Sequence, residues 1–153
     1  QMVANITVMA AYKNYKEISI STIRFNDPII AWASQENTKE RFKSNQSLWT
    51  IQCTEKFSTK FINLYKKNKK KYEKIILRKF EELIGYQVKN IVFQNIHGWK
   101  FAYKKTGTNS LQSLWLGKYH LGVCGDWLCG NKAEHAWLSA KNLSSQIKKN
   151  LPR

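Results

Sequence analysis

The stretch CGDWLCGNKAEHAWLSA, residues 124–140, places Gly125, Asp126 and Gly130 directly ahead of an apolar helical pattern. The first amides of a helix have no intrahelical partner and carry the positive end of its dipole. They suit a ligand oxygen that bears or develops negative charge. Asp126, in the preceding turn, accepts hydrogen bonds from hydroxyls. Together these residues describe a site for a ligand with a polyol on one side and an electron-rich carbonyl on the other. Asp before a helix is also a common cap, and that reading of Asp126 fits the same residues.

Other chemistries fail at particular positions. Gly125 and Gly130 have the glycine spacing of a triphosphate loop, but Asn131 stands where lysine is needed and no hydroxyl follows at the magnesium position. A cysteine nucleophile elbow at Gly122, Val123 and Cys124 needs a second glycine where Asp126 stands. His120, Cys124, Cys129 and His135 are all possible zinc ligands, yet their spacing matches no usual structural site. Cys124, in an apolar run, reads as a buried small hydrophobe. No metal is expected, His97 and His120 read as structural or surface residues, and no residue is assigned as catalytic.

The elements that must position this turn follow from hydrophobic periodicity. Four strand-like runs open the chain: ITVMAAY from Ile6, ISISTIRF from Ile18, IIAWAS from Ile29 and SLWTIQCT from Ser47. Short polar linkers make adjacent antiparallel pairing the simplest topology, and the alternation of Ile18 and Ile20 with Ser19 and Ser21 predicts one buried face. From Phe57 the period becomes helical: Phe57, Phe61, Leu64 and Tyr65, then Ile76, Phe80, Leu83 and Ile84, with Gly85 as the stop. The run KKNKKK, Lys66 to Lys71, reads as a solvated connection between these helices rather than an anion-binding loop. A strand pattern returns in VKNIVFQNIHGWKFAYKK, followed by a loop around Gly107 and Asn109. LWLGKYHLGVCG then leads into the turn, and Ala136, Trp137, Ala140, Leu143 and Ile147 predict an apolar face on a helix from Ala133 to Ile147. The predicted class is α+β: an antiparallel sheet with flanking helices, ending in strand, turn and helix.

With 42% hydrophobic residues, the 153-residue chain is too apolar for disorder and long enough for a real core, and no apolar run reaches membrane-spanning length. Three cysteines without framework spacing point to the cytoplasm rather than to a secreted disulfide scaffold. QMVANITVMAAY lacks the basic region and cleavage pattern of a signal peptide and reads as a strand entered midway. The net charge of +16 is almost all lysine. It accompanies many Asn and Ile residues, as an AT-rich coding bias would produce, which weakens it as a sign of nucleic-acid binding.

LGVCGDWLCGNKAEHAWLSA resembles the C-terminal flavin-binding segment of renalase-like, amine-oxidase-type FAD-dependent oxidoreductases. PIIAWASQENTK (Pro28 to Lys39), SLWTIQCTEKFS (Ser47 to Ser58) and HGWKFAY (His97 to Tyr103) are similar to further segments of that family, in the same order. The resemblance implies FAD as cofactor, with the ribityl chain and a flavin carbonyl as the polyol and anionic edge described above. It gives Asp126, after Gly125, to the ribityl chain, the amides of Ala133, Glu134 and His135 to the flavin pyrimidine edge, Trp99 to the flavin's vicinity and Trp32 to the substrate pocket. Three residues depart from the family pattern: His135 and Ala140 replace glycines, and Gly98 replaces an arginine.

The family's N-terminal G-x-G-x-x-G unit, which holds the FAD pyrophosphate, has no counterpart here. The resemblance therefore implies a C-terminal portion, inactive alone. Residues 1–112 would belong to the substrate domain and residues 113–153 to the FAD-binding domain. The implied reaction is hydride transfer from a small amine or reduced-nicotinamide-like substrate to flavin. The alternative, from a different class, is a basic module binding nucleic acid through the lysine-rich face. Without its other half the chain is expected to self-associate through the strand from Leu114 and the helix through Trp137 and Leu143.

Overall fold

A computed structural model describes residues 2–13, 21–41, 43–85, 90–105 and 111–150. The contacts divide the chain into two units, Ala4–Lys100 and a second formed by Gln1–Val3 with Phe101–Arg153. The first is a five-stranded sheet with two helices. Its strands are β1 (Met2–Tyr12), β2 (Thr22–Arg24), β3 (Ile30–Gln35), β4 (Ser47–Cys53) and β5 (Ile91–Lys104), in the spatial order β2, β3, β4, β1, β5. Helices α1 (Glu55–Phe61) and α2 (Lys69–Ile84) lie between β4 and β5 in the chain. The class is α+β with an antiparallel sheet, as the alternation and the later helical period predict.

Adjacent pairing holds for β2 with β3 and for β3 with β4, but β1 pairs with β4 rather than β2. Burial explains the exchange. Every residue of β1 from Val3 to Tyr12 except Met9 is buried, which only a central strand permits. The predicted alternation at Ile18 to Ile20 lies outside the described residues, as does the loop at Gly107 and Asn109.

One face of the sheet carries the core. Ile6, Val8, Ala10 and Tyr12 of β1, Trp49 and Ile51 of β4, and Ala33 of β3 form a cluster with Phe57, Tyr65, Ile76 and Phe80 from the helical segment. Trp49 meets Phe80 edge to face at 5.1 Å. Polar contacts fix how the helices sit. Thr54 caps α1 by accepting from the Phe57 amide, and Ser58 Oγ accepts from the Ile6 amide of β1 at 3.0 Å. Tyr12 donates to Glu81 of α2 at 3.2 Å, while burial raises the pKa of that carboxyl.

Helix α2 begins earlier than its apolar spacing predicts. Asn68 Oδ1 accepts from the Lys71 amide, so Lys69 to Lys71 form the first turn instead of a connection. Gly85 ends the helix in the left-handed conformation, φ 73°, as expected of a glycine stop.

The second unit holds a hairpin, β6 (Leu114–Leu116) with β7 (Leu121–Val123), then α3 (Asp126–Cys129) and α4 (Ala133–Asn150). The single apolar strand expected from Leu114 is folded in two. His120 adopts φ 49° and its amide donates to the Gly117 carbonyl at 3.2 Å. The division between the two units falls inside β5. Beyond it, Lys104 joins the C-terminal elements: its amide donates to Asn131 Oδ1, its carbonyl accepts from Asn131 Nδ2 and its ammonium reaches the Leu128 carbonyl. Among the described residues no helix is long and apolar enough to cross a membrane.

Asp27 ties the start of β3 to α2. One carboxylate oxygen accepts from the Ile29 and Ile30 amides at 2.8 and 2.9 Å, and the other lies 3.4 Å from Lys79 Nζ. Burial alone would raise its pKa, but the two amides and Lys79 outweigh it and lower the pKa. A lowered folded-state pKa contributes stability that is present above the ordinary carboxylate range and lost as pH falls through the folded value. Asp27→Asn is expected to lower the unfolding free energy by about 1 kcal/mol at neutral pH. Urea titrations at a series of pH values should show the difference from wild type shrinking as pH falls below about 4.

Candidate functional site

The face of the sheet turned away from α1 and α2 has a different chemistry. Ile30 is opposite Cys53 and Trp32 is opposite Gln52, so Ala31 is an extra residue in β3. In a regular strand Ile30 and Trp32 would point the same way. The bulge leaves Ile30 in the core and puts Trp32 on the other face, the re-aiming that bulges produce beside sites. Arg24, Trp32, Gln52 and Thr7 then stand opposite one another on four successive strands. The next row is Thr22, Ser34, Thr50 and Met9.

On this face buried polar residues stand among the buried Val3 and Ala11 of β1. Asn5, Thr7 and Ser34 have at most 6% of their surface exposed, and Trp32 and Gln52 are half-buried. Thr7 Oγ1 donates to Asn5 Oδ1 at 2.7 Å, and Asn5 Nδ2 reaches the Cys53 carbonyl at 3.4 Å. The Ser34 hydroxyl has no partner among the described residues. Burying polar groups costs free energy that apolar side chains would not, so packing alone does not explain this composition.

Strand β5 extends the same face. Ile96 is in the core and Gly98 faces Tyr65 and Ile62, which sends His97 and Trp99 the opposite way. Their rings meet edge to face at 4.4 Å, and Trp99 is 46% exposed. Both tryptophans singled out by the sequence are thus on one face of the sheet. Gly98 has a local cause: a Cβ there would lie 2.7 Å from Tyr65 and Ile62 atoms, and its amide donates to the Tyr65 hydroxyl at 2.9 Å. Arginine has no room at that position.

The turn and helix start lie in the C-terminal unit and bring Gly125, Asp126, Ala133, Glu134 and His135 into one local segment. Asp126 opens α3 with its side chain exposed, and its carbonyl accepts from the Gly130 amide at 2.6 Å. The Trp127 indole occupies the space that a side chain at Gly125 would need. Ser139, fully buried in α4, anchors the turn: its hydroxyl accepts from the Gly125 amide at 3.0 Å and donates to the Gln112 carbonyl at 2.5 Å.

His135 closes its own helix start. Its Nδ1 accepts from the Lys132 amide at 3.2 Å, its amide donates to the Lys132 carbonyl at 2.9 Å, and its ring fills the space beside Gly130. The amides of Ala133 and Glu134 are therefore the ones this first turn leaves for a ligand oxygen. Beside it opens a cleft of about 460 Å³ lined by Cys129, His135, Leu138, Lys141 and Asn142.

The apolar face predicted for α4 is not the one it buries. Ala136, Trp137 and Ala140 are exposed, Trp137 to 62%, while Leu143 and Ile147, one and two turns beyond the Ser139 anchor, are half-buried. The Ser139 hydrogen bonds set the rotation of the helix and turn Trp137 outward. Cys124 is exposed, not buried, and follows the end of β7, which is only three residues long. Cys53 is the buried cysteine, and burial pushes its thiol pKa far up, which makes it inert. Among the described residues no group of three or more His, Cys, Asp or Glu is placed to hold a metal ion.

Sequence reasoning missed Ser139 and the polar row through Thr7. The second was legible in ANITVMA, where Asn5, Thr7 and Met9 alternate with Ala4, Ile6 and Val8. No family model matches the chain.

Ser139→Ala should leave the Gly125 amide and the Gln112 carbonyl without their shared partner, at a cost of about 1–3 kcal/mol. Amide exchange at Gly125 should speed up by a corresponding factor while exchange in β1 and β4 is unchanged. Unaltered protection at Gly125 would show that the hydroxyl is not the anchor.

Proposed function

We propose that this chain supplies the substrate face and the C-terminal flavin-binding elements of an FAD-dependent oxidoreductase, resembling the renalase-like amine oxidases. Its substrate would be a small amine or a reduced-nicotinamide-like molecule. The observation that carries this reading is the buried polar face on which the Ala31 bulge sets Trp32 beside Gln52 and Thr7. Such a face offers hydrogen-bonding groups and an aromatic wall, the composition of small-molecule sites. His97 and Trp99 add a second aromatic pair to it.

The residues assigned to the cofactor fit FAD in part. The Asp126 side chain is exposed and its carboxylate makes no hydrogen bond or ion pair among the described residues, which leaves both oxygens for ribityl hydroxyls. At the pyrimidine edge only the Ala133 and Glu134 amides suit a flavin carbonyl, since His135 has turned its own amide and ring inward. A bound flavin would supply the hydride acceptor, and the pyrophosphate would be held by a separate dinucleotide-binding half. On this side the chain's task is to orient substrate with Trp32 and to hold the ribityl chain with Asp126. The three free cysteines accord with a cytoplasmic setting.

The test is purification of the protein with both halves present, which should be yellow. In it, Asp126→Ala should weaken FAD binding by about 1.5–3 kcal/mol, the loss expected for a charge-assisted hydrogen bond. A colourless protein that takes up no FAD would reject the cofactor, and undiminished FAD retention in the variant would reject the role of Asp126.

The 153-residue chain by itself should self-associate without holding FAD. Leu114, Leu116, Leu121, Trp127, Trp137 and Leu138 of the C-terminal unit are all exposed, more apolar surface than a lone unit of this size usually presents. Sedimentation velocity should show dimers or larger species, and the flavin absorption band should be absent. A clean monomer would mean that these side chains do not form a continuous patch.

A further inference from the structure

On the outer side of α2 the sheet unit carries a second concavity, of about 660 Å³, between that helix and β5. Lys70, Lys74 and Arg78 line it, four residues apart, and so form one stripe along α2 with a rise of about 6 Å per step. Its apolar surface comes from Leu77, which is 3% exposed, and from half-buried Ile91. Between stripe and strand stands Glu73, 8% exposed, with Gln94 Nε2 of β5 at 3.5 Å from its carboxylate.

The charges here are arranged against the helix rather than for it. The positive end of the α2 dipole meets Lys69, Lys70 and Lys71, and its first turn contains no acid. Lys70 and Lys74 form no ion pair among the described residues, and Arg78 attracts the buried Glu81 carboxylate without closing a salt bridge to it. An anionic partner would relieve this unfavourable placement.

We propose that the groove between α2 and β5 binds an extended acidic segment of a partner protein. In an extended chain every second side chain recurs at about 6.7 Å, which matches the cation spacing along α2. A segment alternating acidic and apolar residues would set its carboxylates against Lys70, Lys74 and Arg78 and its apolar side chains against Leu77 and Ile91. Among the described residues β5 stands last in the strand order, so its N-terminal part by Ile91 and Gln94 offers the backbone a strand to lie beside. Glu73 and Gln94 can accept hydrogen bonds from the peptide amides. Nucleic acid fits less well, because no aromatic ring lines the groove for base stacking and the Glu73 carboxylate would face the phosphates. This surface is distinct from the polar sheet face, and the inference stands whether or not the chain serves a flavin.

A capped, fluorescently labelled peptide alternating Glu and Val tests it, with binding to the 153-residue chain followed by anisotropy at two salt concentrations. Saturable binding is expected. Combined Lys70→Gln, Lys74→Gln and Arg78→Gln substitutions should weaken it by about tenfold or more, and Lys66→Gln, Lys67→Gln and Lys71→Gln, outside the groove lining, by less than about twofold. A peptide of the same composition with its Glu residues in one block should bind more weakly to the unaltered protein, which tests the spacing without any variant. The proposal is overturned by absence of saturable binding, by equal loss in the two triple variants, by equal affinity for the blocked peptide, or by a short thymidine oligonucleotide that binds tighter with the same residue dependence.

Discussion

Strand β1 is held on both flanks, by β4 in a register running from Thr7 opposite Gln52 to Tyr12 opposite Ser47, and by β5 on the other side. Its neighbours cover both edges, and every residue from Val3 to Tyr12 except Met9 is buried, so side chains on both of its faces leave water. A strand alternates its side chains, so Ile6, Val8 and Ala10 on one face force Asn5, Thr7 and Met9 onto the other. The helices can satisfy only the first set. Everything proposed for the second face follows from that asymmetry, since buried Asn and Thr need partners that an apolar layer cannot give.

The Ala31 bulge adapts β3 to this arrangement. It lets a single short strand deliver Ile30 to the core beside Cys53 and Trp32 to the polar face beside Gln52. A one-residue shift in register reverses every side chain beyond it, so the inserted residue separates the two roles with no change of side-chain chemistry. At the opposite edge, β5 reaches the same result by plain alternation, with Ile96 and Gly98 inward and His97 and Trp99 outward.

The two helical segments, the glycine stop and the antiparallel sheet were legible in the sequence, because each depends on local alternation or on a backbone conformation that glycine tolerates. The apolar spacing misled at Leu64, beyond the end of α1, and at Leu83, both of which are exposed. The position of β1 beside β4 was not, since the pairing of distant strands depends on total burial rather than on linker length. The Ser139 anchor was hidden for a related reason. A serine among Trp137, Leu138 and Ala140 looks like the polar side of an amphipathic helix until its two partners, Gly125 and Gln112, are seen to lie far off in sequence. At the helix start, nothing in the sequence indicated that the His135 imidazole would become the cap of its own first turn.

Gly98 couples β5 to Ile62 and Tyr65, more than thirty residues earlier in the chain. The Tyr65 ring and the Ile62 side chain take up the volume that any residue larger than glycine would require, and the Tyr65 hydroxyl holds the Gly98 amide. A lineage can therefore acquire a side chain at position 98 only if position 65 has first given up its ring, and in the opposite order the intermediate is overpacked. Among relatives of this chain, a bulky residue at 98 and an aromatic at 65 should exclude each other. The order of those two substitutions is imposed by space in the core and not by selection on the site itself.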